Sequence, residues 1–208
     1  MQGPWKFLSA ISRATGHRAD VETEGAYVLR EQTGTSGLEQ TVRAAVALLA
    51  EHDIPHLIAG GLAVQEHGYF RVTLDADIIV PDAAEAAEFL TGDLSGPFVR
   101  EPGFEDTLRN KRTGIQVNFR PAAGVVKAGC RVPFPTPEKV CATPQFVPLS
   151  TLLSLKLDSW HNSPARRARD KGDVVELILK RKLPRDFAVD AAMRGLYEQL
   201  WDELAAEK

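Results

Sequence analysis

Asp75 and Asp77 stand two residues apart in Thr73-Leu-Asp-Ala-Asp-Ile-Ile-Val80, a stretch that reads as a β-strand. Side chains alternate along a strand, so both carboxylates project to one side. Two neighbouring negative charges repel unless a cation sits between them. A hard ion that prefers oxygen ligands, Mg2+ or Mn2+, meets that need. Upstream, the short apolar strand His56–Ala59 runs into Gly60-Gly61, which opens a helix over Leu62–Glu66. Glycine lets the backbone come close to a ligand, and the free amides of a helix start favour phosphate. Joined, the two pieces would hold a metal–triphosphate, the metal bridging carboxylates and phosphates. Each alone is commonplace, a plain turn or a solvated strand face. Their order and spacing, with Gly68, Arg71 and Thr73 between them, carry the weight.

Other residues admit two readings each. Arg71 can neutralise phosphate charge or contact an acceptor, or it can form a salt bridge at the strand edge. Thr73 reads as a strand residue whose hydroxyl supports the preceding loop. Lys156 stands on an otherwise apolar helical face with Leu152, Leu153, Leu155 and Leu157. It either snorkels to the surface or reaches a triphosphate from the helical side. Asp170 and Asp173, three apart on one helix face, suit ion pairs with Lys156 or Arg169. The run Arg166-Arg-Ala-Arg-Asp-Lys171 is a solvated helix start, or, with an RNA acceptor, a salt-sensitive phosphate contact. His67 reads as a helix C-terminal residue favoured by the dipole. His52 and His56 do not form a zinc pair, since Pro55 breaks the helix that would align them.

The pattern Gly60-Gly61-x-Ala63 … His67-Gly68-x-x-Arg71-x-Thr73-x-Asp75-x-Asp77 resembles the signature of the polymerase β-type nucleotidyltransferase superfamily. It looks like the branch of small prokaryotic proteins that includes AbiEii-type toxins. Leu149–Leu157 with Lys156, followed by Arg169-Asp-Lys-Gly-Asp173-Val-Val-Glu-Leu-Ile178, is similar to the helical region these proteins carry after the catalytic core. The resemblance covers roughly residues 40–180. It implies an α+β nucleotidyltransferase fold, a mixed β-sheet flanked by helices, with a C-terminal helical appendage. It also implies transfer of a nucleoside monophosphate from an NTP to a hydroxyl acceptor, a tRNA end, a protein or a small molecule, with release of pyrophosphate. Asp75 and Asp77 would hold the metal; Gly60 and Gly61, with Arg71 and Lys156, would meet the nucleotide. A toxin-like role would bring an antitoxin-like partner. One position departs from the pattern: the third carboxylate of active members falls at Asn118, in Ile115-Gln-Val-Asn-Phe119. A neutral amide can lend oxygen to a metal but adds no charge and is no carboxylate base. The alternatives are a slow enzyme, one that recruits Glu101 or Asp106, or a catalytically weakened nucleotide-binding or interaction module.

The elements that must position these residues follow from local signals. Residues 1–35 are weakly patterned and read as an arm. Ser36 with Glu39 forms a capping box before the run Leu38, Val42, Ala45, Val46 and Leu49, a helix that should end near His52. Asp82 with Glu85 caps another helix, through Leu90 and closed by Gly92. Strands are expected at Glu105–Lys111 and Ile115–Arg120, joined as a hairpin by Arg112-Thr-Gly114. Pro133, Pro135, Pro137, Pro144 and Pro148 mark an extended connection. A helix is expected at Leu149–Trp160, a second from Ser163-Pro164 and a third after Pro184. The division is an arm at 1–35, a core at 36–148 and a helical region at 149–208.

Composition narrows the classes. The 208 residues carry 25 Lys plus Arg against 28 Asp plus Glu, a net charge of −3, which argues against a general nucleic-acid-coating protein. Hydrophobic residues make up 44% and suffice for a full core. No run of about 18 apolar residues suits a membrane span. Met1–Arg13 is too short and polar for a secretory leader, so the expected location is cytoplasmic. Cys130 and Cys141 suit two unpaired buried thiols, not a disulfide framework or a zinc site. No P-loop, Gly-x-Ser-x-Gly or Gly-x-Gly-x-x-Gly occurs.

Overall fold

Ser36 opens the first helix by accepting the Glu39 amide at 3.1 Å, one half of the expected capping box; the Glu39 carboxylate accepts from Arg43 instead. The computed structural model describes residues 36–207, so the expected 1–35 arm lies outside the described residues. Helix α1 spans Gly37–Glu51 and buries Leu38, Val42, Ala45, Val46 and Leu49 along one stripe. Strand β1, Leu57–Ala59, leads directly into α2, Gly60–Glu66. Strand β2 is Asp75–Val80; α3, Ala83–Gly92, is capped by Asp82, which accepts the amides of Ala84 and Glu85. Strands β3, β4 and β5 follow at Phe98–Arg100, Thr107–Asn110 and Gln116–Pro121. Helices α4, Leu149–Asn162, α5, Ala168–Arg181, and α6, Arg194–Ala206, complete the described chain.

The five strands form one mixed sheet in the order β1-β2-β5-β4-β3. Only β2 and β5 run parallel, with Asp75 opposite Gln116, Asp77 opposite Asn118 and Ile79 opposite Arg120. One face of the sheet is apolar: Ala76, Ile78 and Val80 of β2 and Val117 and Phe119 of β5 pack beneath α1 and α3. The period of two then sends Asp75, Asp77, Asn118 and Arg120 to the opposite face. That face is left open at the Asp75 end. At the Ile79 end it is covered, because Ile79, Ala59, Ala63 and Val64 share an apolar cluster with Leu152, Leu153, Leu157, Val174, Leu177 and Tyr197 of α4–α6. The expected helical appendage therefore has no core of its own apart from the sheet.

Several expectations shift. Strict alternation over Thr73–Val80 would put Leu74 on the apolar face with Ala76 and Ile78, but it precedes the strand and is exposed. Ser163 does not open the second helix of the C-terminal region. It ends α4, its carbonyl accepts the amides of Arg166 and Arg167 in a turn, and α5 begins at Ala168. The third helix starts at Arg194, ten residues beyond Pro184, after a short 3-10 turn over Ala191–Met193. Strand β3 has no counterpart in the sequence reading. The connection before α4 is extended as expected, and Phe146 pairs with Ile58 beside β1. His67 is the C-terminal cap of α2, yet its ring bonds the Val147 carbonyl at 2.8 Å, and burial pushes its pKa down. It ties α2 to the connection as a neutral ring and not as a cation on the dipole. The two cysteines are free as expected but half-buried.

Candidate active site

The two carboxylates on β2 lie side by side, and the rest of the site is built around them. Asp75 accepts from the Asn118 amide at 3.1 Å, and the Thr73 hydroxyl stands at 3.4 Å from its other oxygen. Asp77 accepts from the same amide at 3.5 Å and, through the same Oδ1, from Arg120 Nε at 3.2 Å and Nη2 at 3.0 Å. Burial pushes the Asp75 carboxyl up, and the charge of Asp77 pushes it further. Asn118, Thr73 and Arg120 offset only part of that. Asp75 is thus short of positive charge despite these three groups.

Gly60 faces this pair. Its φ is +63°, a left-handed conformation that glycine adopts without strain, and a Cβ there would overlap Asp77 Oδ2. Gly61 has a different reason to lack a side chain: a Cβ would overlap the Thr73 hydroxyl, 4% exposed, in the wall behind the site. So the first glycine meets the carboxylate, and the second lets α2 close onto the strand that carries it.

A cleft of about 130 Å3 opens between this end of the sheet and the C-terminal helices, lined by Gly60, Asp77, Arg120, Lys156, Arg167 and Asp170 at its polar side. The lining also includes Val126, Phe134, Leu152, Leu155 and Ser159. Leu152, Leu155, Lys156 and Ser159 follow the spacing of one face of α4. Lys156 does not snorkel. Its ammonium is buried between Asp170 and Asp173, 2.7 Å from each.

Arg71 takes the ion-pair alternative and is not brought to the cleft. Its guanidinium grips Asp173 at 2.5 and 2.8 Å and donates to the Val72 carbonyl at 2.9 Å. Asp173, 1% exposed, therefore joins Arg71 of the β2 approach to Lys156 of α4. Burial alone would push its carboxyl up; Arg71 and Lys156 outweigh that and hold it below the usual range. The expected pairing of Asp170 and Asp173 with Lys156 is observed. In the basic run, Arg167 lines the cleft, while Lys171 lies over the Trp160 ring and beside Glu203.

Of the two acids named as substitutes for Asn118, Glu101 is held by Arg109 through two bonds of 2.7 Å, and Asp106 accepts from the Thr107 hydroxyl at 3.3 Å, beside Asn118 Oδ1 on the same hydroxyl. Among the described residues no group of three acids, histidines or cysteines could hold a metal. The residue the sequence reading missed is Arg120. The available signal was its place two residues beyond Asn118, on the same face of β5.

No family model matches the chain, and no curated protein does. Among solved structures the chain is similar to the antibiotic-resistance factor ANT(2'')-Ia in solution, 13% identical with a TM-score of 0.48 over 81% of this chain and 92% of that one. The crystal structure of ANT(2'')-Ia with adenylyl-2''-tobramycin gives 12% identity and a TM-score of 0.47, over 80% and 97%. A Thermotoga maritima CCA-adding enzyme complexed with tRNA gives 18% and 0.39, over 79% of this chain and 42% of that enzyme. At these levels no shared activity follows. What this chain does has to come from its own side chains.

Proposed function

We propose that the protein is a nucleotidyltransferase that moves a nucleoside monophosphate from an NTP to a hydroxyl acceptor. The observation that supports this best is Gly60, held left-handed directly against Asp77 beside Asp75, at the mouth of a cleft bearing Arg120, Lys156 and Arg167. The residues fit a divalent cation. Two carboxylates share one sheet face, and the Asp75 carboxyl, raised by burial and by its neighbour, lacks a full counter-charge. Asp75 and Asp77 would hold Mg2+ or Mn2+. Asn118 turns Nδ2 toward them and Oδ1 toward the Thr107 hydroxyl, 3.2 Å away. A half-turn of the amide exchanges the two, because a hydroxyl accepts as readily as it donates. A metal bound there supplies charge stabilisation to the attacking and leaving oxygens.

This chain's residues do the remaining work. Lys156, Arg167 and Arg120 meet the phosphate charge from the cleft walls, and Gly60 lets the phosphates approach. The acceptor oxygen bonds to the α-phosphorus, and the bond from that phosphorus to the bridging oxygen breaks, releasing pyrophosphate. The acceptor proton passes to solvent water, since the group beside the two carboxylates, Asn118, is an amide and no base. Arg71 positions Lys156 through Asp173 and touches no substrate.

A second reading is favoured by one observation. The Asn118 amide donates to both carboxylates, so a neutral group stands where a third acid would complete the centre. Losing a positioned base costs on the order of 10²–10⁴ in rate. On this reading the protein is a nucleotide-binding or interaction module of the same fold, one half of a toxin–antitoxin pair for example. Incubation with labelled NTPs, Mg2+ and mixed tRNA separates the two. Label transfer or pyrophosphate release, lost in Asp75→Asn and Asp77→Asn, is expected of the enzyme. Nucleotide binding without pyrophosphate would leave the module, and no binding to any NTP would remove both the enzyme and the nucleotide-binding form of the module.

A further inference from the structure

Among the described residues, the lining of the cleft contains one buried side-chain polar atom without a partner. Ser159 is 2% exposed and lines the cleft, and its hydroxyl has no hydrogen-bond partner among the described residues. A serine on a helix commonly returns its proton to the carbonyl four residues back. Ser154 on this same helix does so, donating to Ser150 at 2.7 Å. Ser159 does not. A buried hydroxyl left unsatisfied is costly, so its place in a cleft wall points to a ligand that completes it.

The surroundings define that ligand. Val126, Phe134, Leu152 and Leu155 offer apolar surface to a flat ring, and Lys156, one turn before Ser159 on the same face of α4, lines the same cleft. A group lying among apolar side chains, with a polar edge to bond a single hydroxyl, has the character of a nucleobase more than of a ribose. Resting on the nucleotide reading above, we infer that Ser159 is a specificity-determining residue: its hydroxyl bonds the edge of the base. Val126, Phe134, Leu152 and Leu155 offer no second hydrogen bond there, so the base whose edge group falls opposite the Ser159 hydroxyl is favoured over bases that leave it unpaired.

The test is equilibrium binding of ATP, GTP, CTP and UTP, each with Mg2+, to the full chain and to Ser159→Ala, alongside thermal melting without nucleotide. The wild type is expected to prefer one nucleotide. In Ser159→Ala that nucleotide should lose about tenfold in affinity while the other three hold, because one hydrogen bond is removed. The variant should melt no lower than the wild type, whereas a hydroxyl with a structural role would lower the melting point. An unchanged preference, or an equal loss for all four nucleotides, would overturn the inference and leave the nucleotide reading standing. So would a wild type that binds all four alike. A wild type that binds none would overturn both.

Discussion

Arg120 holds Asp77 by one oxygen only. Both its Nε and Nη2 reach Oδ1, at 3.2 and 3.0 Å, while Oδ2 faces Gly60. The guanidinium is an internal counter-cation on the very carboxylate that a metal would use. Replacing it with Met should tighten Mn2+ binding, measured by electron paramagnetic resonance, and weaken NTP binding. A half-exposed ion pair contributes about 0.2–1 kcal/mol, so the gain should not exceed about fivefold. Weaker Mn2+ binding by the variant would show that Arg120 does not compete with the cation.

Asp75→Asn should raise the melting temperature of the metal-free protein while removing metal binding. The folded carboxyl has a raised pKa, so the native state holds that proton more tightly than the unfolded chain. The group's contribution is best at low pH and is lost as pH rises from about 4, the unfolded value, through the folded one. The advantage of Asn should therefore be absent near pH 3.5 and full at pH 7.5. Relief of such a site is worth about 0.5–2 kcal/mol, a few degrees for a chain of this size. Melting curves at the two pH values decide it.

The Asp173 carboxylate behaves in the opposite sense. Arg71 and Lys156 hold its pKa low against burial, so its stabilisation is present above the unfolded value and lost as pH falls through the folded one. Asp173→Asn should cost about 3–5 kcal/mol at pH 7, since it strips a buried charge partner from two cations. The variant should also lose less stability than the wild type between pH 5 and pH 2. Urea unfolding across that range measures both effects.

Gly60→Ala and Gly61→Ala should each destabilise by about 1–3 kcal/mol, through a left-handed φ in the first and overpacking in both. Gly195, exposed in α6 with nothing near its Cα, is the control. Its change to Ala should stabilise by about 0.4–1 kcal/mol. Chemical denaturation of the three variants tests the ranking, and a neutral Gly60→Ala would contradict the close approach to Asp77.

Asn118→Asp restores a third acid to the face that carries Asp75 and Asp77. Metal-free stability should fall, because a like charge joins an Asp75 already short of counter-charge. Any nucleotidyl transfer should rise by about 10²–10⁴. A variant that binds metal no better than the wild type would show that the pocket is shaped for an amide.

The Gly-Gly and Asp-x-Asp elements were legible because each rests on a local rule, the helix start after a strand and the period of two. The contacts that tune them were not. Arg120 reaches Asp77 only because β5 lies parallel to β2 in a register that places Asn118 opposite Asp77, and no local signal states a strand pairing. Asp173 meets Arg71 across 102 positions of chain, so the ion pair was named but its partner was not. Ser163-Pro164 carried a helix-start signal and does open a single turn, its carbonyl accepting the Arg166 and Arg167 amides, but Arg167 departs from helical geometry and α5 starts after it. The hydroxyl of Ser159 had no signature beyond its spacing from Lys156.

Ile79 and Ala59 belong to the same apolar body as α4, α5 and α6. Severing the chain near Pro148 would therefore strip the floor from beneath the carboxylates as well as the wall above them. The helical region is no cassette that recombination could exchange intact. A new one would have to arrive with a matching strand, which ties the choice of what enters the cleft to the integrity of the sheet itself.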